Sequence, residues 1–141
     1  VGIHNNRIVG NGGGILCGRQ TVSRIGHNQI ANNELYGVFG KGASSSQVRY
    51  NNISHNGKGV ILYATRGFRV NENNISENEG YAVSLLEGQI YDVDARKNWW
   101  GTKDKGKIRE LIWDKDEERT LGRVNFSGFA GAPIEGAGLS G

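Results

Sequence analysis

Apolar positions recur along this chain with a long period and without helical rhythm. Ile8, Ile30, Ile53 and Ile75 stand 22, 23 and 22 residues apart. Five residues before each stand Ile3, Ile25, Val48 and Val70, and seven or eight after stand Ile15, Val38, Val60 and Val83. The last four are preceded by Gly14, Gly37, Gly59 and Ala82. Each unit thus offers three short segments with β-branched or aliphatic residues, separated by Asn- and Gly-rich bends. A fixed period of this size marks stacked repeats. The pattern predicts an all-β fold, a right-handed parallel β-helix with three strands per coil and about four coils, each lying about 4.8 Å above the last.

Two polar columns share the period. Asn6, Asn28, Asn51 and Asn73 precede the isoleucines by two residues, and Asn11, Asn33, Asn56 and Asn78 follow them by three. A sharp bend needs a residue that tolerates left-handed backbone geometry and can hydrogen-bond neighbouring backbone. These columns therefore read as structural ladders whose stacked amides bond along the axis.

The repeat loosens after Glu87. Trp100 stands two residues after Asn98, the offset at which each earlier coil places its Ile, and so reads as a large inward plug. Ile108, Leu111 and Ile112 then follow helical spacing, with Thr102 or Asp104 as N-cap, and the acidic run Asp114 to Glu118 reads as a solvated helix end. Leu121 to Phe126 reads as a final strand. The expected organisation is coils over 1–101, a cap of helix and strand over 102–128, and a flexible or docking tail over 129–141. A solenoid needs such a cap because its last coil would otherwise expose apolar cross-section and strand edges. No matching cap precedes Val1, and a start without Met suggests a processed product or a fragment.

The repeats, with Asn-x-Ile, a later Asn and Gly-Val or Gly-Ile, resemble the right-handed β-helix repeat family of pectin-lyase-like architecture. The stretch Val93-Asp94-Ala95-Arg96-Lys97-Asn98-Trp99-Trp100-Gly101 is similar to that family's terminal Asn-Trp-Trp-Gly signature. Segment 108–133 resembles the closing segment of bacterial members, with Gly128 where relatives carry Pro. The resemblance implies export to the periplasm, cell surface or medium, and contact with polysaccharide. It does not by itself imply catalysis, because lyases, epimerases, adhesins and inert scaffolds share the repeat.

Composition narrows the function classes. Only 36% of residues are hydrophobic, which suits a narrow core, and the formal charge is +3. The basic residues are scattered along the chain, so no nucleic-acid footprint is expected. No apolar run reaches the ~18 residues of a membrane span, so no insertion is expected. Cys17 has no partner cysteine, and His4, His27 and His55 fall at different offsets from their repeat Ile, so no metal cluster is expected. No cofactor is expected; Asp92 and Asp94, on one outward face, mark where a calcium ion would sit. The coils carry no carboxylate constellation with a base, as lyases and epimerases of this fold require.

Apolar and aromatic residues supply the candidate surface. Leu16, Phe39 and Ile61 follow the inward residues of the Gly-preceded strands and should point outward as a stripe. That stripe would be a partner-binding face or a region covered by the tail. Tyr36, Tyr63, Tyr81 and Trp99 are candidates for stacking on sugar rings. The resulting expectation is a non-catalytic extracellular solenoid module, acting as scaffold, self-assembly or surface-binding element, with other copies, adjacent coils of a longer parent, or polysaccharide as partners. The alternative is the C-terminal portion of a polysaccharide lyase or uronate epimerase.

Overall fold

A computed structural model describes residues 2–42 and 45–140. Val1 and Gly141, at the ends of the predicted coil and tail segments, lie outside the described residues. The first coil comprises β1 (Gly2–His4), β2 (Arg7–Val9) and β3 (Gly13–Cys17). The second comprises β4 (Arg24–Gly26), β5 (Gln29–Ala31) and β6 (Tyr36–Lys41), and the third β7 (Gln47–Arg49), β8 (Asn52–Ser54) and β9 (Lys58–Tyr63). The fourth comprises β10 (Arg69–Asn71), β11 (Asn74–Ser76) and β12 (Val83–Leu85). Then come β13 (Val93–Asp94), α1 (Lys105–Glu110), β14 (Ile112–Trp113) and β15 (Val124–Asn125).

Every strand pairs in parallel with its counterpart one coil away. Three sheets result, with orders β1-β4-β7-β10-β13-β15, β2-β5-β8-β11 and β3-β6-β9-β12-β14. The fold is thus a parallel β-solenoid of about four turns with one short helix. The register aligns Ile25 with Val48 and Val70, Ile8 with Ile30, Ile53 and Ile75, and Ile15 with Val38, Val60 and Val83. These columns form the buried core, with Ile8 partly buried against it. A bridge from Asn74 to Trp99 sets Trp100 above Ile75, where it is 1% exposed.

The Asn columns bond as a continuous chain of amides. The backbone N–H of Asn28 donates to Oδ1 of Asn51, that of Asn51 to Asn73, and that of Asn73 to Asn98, at 2.9–3.0 Å. Each Nδ2 also donates down to a carbonyl of the preceding coil, as Asn51 does to Ile25. Asn33, Asn56 and Asn78 repeat the arrangement at the next bend. The left-handed backbone falls elsewhere than the sequence suggests. Positive φ belongs to the residue immediately before each ladder Asn, as in His27, Tyr50, Glu72 and Lys97 at one bend and Asn32, His55 and Glu77 at the other. The ladder Asn must point inward to reach the stack, so its predecessor absorbs the turn.

The cap departs from its prediction in three ways. The helix stops at Glu110 with Leu111 as C-cap, and Ile112 becomes a strand residue paired with Val83. Covering the exposed end of that column outweighs continuing the helix. Asp114 is not solvated but fully buried, accepting from Arg109 Nη2 at 2.8 Å and from the backbone of Val124 and Asp116. It ties helix, β14 and β15 together. Of the predicted final strand only Val124–Asn125 pairs, against β13.

Candidate functional site

The six-stranded sheet carries the most chemically distinctive face. Its inward positions are apolar, so alternation turns the intervening residues to solvent. Arg24 lies in β4, Arg49 in β7 and Arg69 in β10, Arg96 follows β13 and Arg123 precedes β15; all five are exposed. The expectation of scattered basic residues is therefore corrected: from the second coil onward, stacking puts one arginine at each level of a single face, Arg24 and Arg69 in one row and Arg49 in the other, with about 4.8 Å between levels along the axis. Gln47, Asn71 and Asn125 are interleaved with them on the same strands.

These arginines differ in their engagements. Arg49 pairs with Glu72 at 2.6 Å, Arg96 with Asp94 at 3.0 Å, and Arg123 with Asp116 at 2.9 Å. Arg24 and Arg69 pair with no carboxylate among the described residues. A shallow groove of about 220 Å³ lies between Gln47, Arg49, Arg69, Asn71, Arg96 and Lys97.

The bend beside this sheet stacks the residues that take left-handed geometry. His27 lies on Tyr50 with ring centroids 5.3 Å apart, and Tyr50 Oη donates to Glu72 at 2.7 Å. The tyrosine bond and Arg49 hold the Glu72 carboxyl below its ordinary value, while the same bond raises the Tyr50 hydroxyl. Nδ1 of His27 is buried without a hydrogen-bond partner. The sequence reading missed this row, although its signal was present: His27, Tyr50, Glu72 and Lys97 all stand three residues before a column residue.

The residues singled out from sequence are dispersed. Leu16, Phe39, Ile61 and Ser84 do align in one row, continued by Trp113. Leu16 is 58% exposed, but Ile61 is only 8% exposed, so the predicted stripe does not run. The row packs along its own axis, and the pairs Tyr36–Phe39 and Tyr81–Trp113 cluster rings beside it. Tyr36 is half-buried over Gly13, and Tyr63 is exposed at the C-terminal end of β9 against Gly88. Trp99 is half-buried beside Leu111 and Lys107 of the cap.

From Ala130 onward the tail leaves that row and the arginine face. It runs back over the four-stranded sheet: Ala130 donates to Asn98, Ile134 exchanges bonds with Asn74, Gly138 donates to Tyr50, and Ser140 donates to Asn5.

Potential metal donors do not converge. Among the described residues no three of His, Cys, Asp and Glu form a group. Cys17 is 3% exposed and burial raises its thiol. His27 and His55 occupy different bends, and His55 faces Glu77 at 3.2 Å. Asp94 bonds Arg96 through both oxygens and also accepts from Asn71, which holds its carboxyl at about 2. Asp92 accepts from the Arg123 backbone.

The model of a protein family described as "Periplasmic copper-binding protein (NosD)" matches residues 1–117. No curated protein and no solved structure matches the chain. No helix is long and apolar enough to cross a membrane among the described residues.

Proposed function

The chain belongs to the NosD family, a periplasmic family, and from that premise we propose that it is a non-catalytic solenoid module whose arginine-bearing face binds acidic polysaccharide. The observation that carries this reading is the recurrence of one exposed arginine per coil, from Arg24 to Arg123, with amide side chains between them. Guanidinium groups recognise carboxylates with directed hydrogen bonds, and amides suit hydroxyl groups. A linear polymer with a carboxylate on successive sugars presents both along its length.

A lyase or epimerase reading finds less support. Such chemistry needs unengaged carboxylates beside a base that removes a proton. Here Glu72 is engaged by Arg49 and Tyr50, and Tyr50, with its hydroxyl raised, is a poor base. The family's printed description includes copper, but the donors of this chain do not fit a copper centre. Methionine is absent, the cysteine is buried as a thiol, and no three of His, Cys, Asp and Glu form a group among the described residues.

Titration of the chain with oligogalacturonate, followed by calorimetry, tests the proposal. Binding that weakens with salt, and about threefold or more for each of Arg24→Ala and Arg69→Ala, is expected. An uncharged oligosaccharide of equal length that binds as well would sink it. Release of unsaturated uronate ends would favour the lyase instead.

A further inference from the structure

A cleft of about 880 Å³ opens at the cap, between α1, β13, β15 and the start of the tail. It shares Arg96, Arg123 and Asn125 with the end of the polar sheet face and adds apolar surface to them. Phe126 and Phe129 are half-buried in its lining and pack against the core, and the Arg109 guanidinium lies 5.7 Å from the Phe126 ring centroid. The volume lies within the range of small-molecule sites, and the lining combines apolar surface with a few polar groups.

The ion pairs within the cleft leave one cationic position unfilled. Asp94 is closed by Arg96, and Asp116 by Arg109 and Arg123, while Asp92 accepts the Arg123 backbone N–H. Arg109 commits Nη2 to Ile112, Asp114 and Glu117 and Nη1 to Asp116, and its buried Nε is out of a ligand's reach. Lys105, one helical turn earlier on the same face of α1, is exposed and pairs with no carboxylate among the described residues. We infer that this cleft binds an amphipathic carboxylate, an aromatic or branched aliphatic acid. Its carboxylate lies at Lys105, and its apolar body lies on Phe126 and Phe129.

The test titrates the isotope-labelled full chain with phenylacetate and with phenylacetamide, followed by amide resonances. Phenylacetate shifts the signals of residues 105–109 and 124–129 saturably, and the neutral amide binds about tenfold more weakly. Lys105→Glu and Phe129→Ala each weaken phenylacetate binding by about tenfold, whereas Arg69→Ala leaves it unchanged. Lys105 is exposed, so its variant keeps the test decisive even where Phe129→Ala loosens the tail. Equal binding of acid and amide, or insensitivity to Lys105→Glu, overturns the inference. So does sensitivity to Arg69→Ala, which places the acid on the sheet face. Because the polysaccharide reading depends on Arg24 and Arg69, its failure and the failure of this site are separately visible.

Discussion

Asn73 donates twice to Oδ1 of Asn98, from its backbone N–H at 2.9 Å and from Nδ2 at 3.1 Å. Its own Oδ1 accepts the same pair from Asn51, and its Nδ2 reaches Val48 O at 2.8 Å. Asn73 is wholly buried, so replacing it by Ala strands donors and acceptors in two coils. Asn73→Ala is expected to cost about 3 kcal/mol, and Asn6→Ala at the partly exposed end clearly less. Urea denaturation of both variants measures the difference; equal costs would remove the ladder as a principal source of stability.

Gly37 marks where one coil passes over the next. A Cβ there would lie 2.8 Å from Gly59 O and 2.9 Å from Ile53 Cγ2, whereas one at Gly12 meets nothing within 4 Å. Gly37→Ala should destabilise by about 1–3 kcal/mol through overpacking, and Gly12→Ala should stay within about 0.5 kcal/mol. Thermal unfolding of the two variants checks the contrast.

Asp114 anchors the cap. Removing its carboxylate leaves the buried Val124 N–H without its acceptor and takes from Arg109 its one fully buried carboxylate partner. Asp114→Ala is expected to cost about 3–5 kcal/mol. Hydrogen exchange should show the loss first in residues 105–126, and protection unchanged there would refute the assigned role.

Asp94 predicts an acid dependence. Hydrogen bonds from Arg96, chiefly, and from Asn71 hold its carboxyl at about 2, below the ordinary ~3.9. Because the folded value is depressed, its stabilisation is complete above the ordinary value and is lost as pH falls through about 2. Asp94→Asn should therefore melt below the parent chain at neutral pH and converge with it near pH 2. A constant difference across that window would contradict the assignment.

The tail acts as a strap from the cap to the first coil, since Ser140 Oγ bonds Asn5 Oδ1 at 2.6 Å across 135 residues of sequence. Truncation after Gly128 should raise exchange rates in the first two coils while leaving the cap protected. Unchanged rates in those coils would mean that the strap carries no load.

Much of this architecture was legible in the residues because a 22- to 23-residue period leaves few ways to stack. The Ile and Val columns, the two Asn ladders and the place of Trp100 all follow from register, which a repeat transmits from coil to coil. The row His27, Tyr50 and Glu72 was legible too, by the same offset, but attention to Asn as the bend residue hid it. What the tertiary structure alone decided lies between elements whose sequence spacing carries no period. Arg24, Arg49, Arg69, Arg96 and Arg123 look scattered because they occupy different offsets within their repeats. They share a face because strand alternation turns either side of an inward residue to solvent. Likewise, the burial of Asp114 and Ile61 and the path of the tail depend on which surfaces the cap and neighbouring coils cover. Local sequence does not encode that contest between burial and solvation.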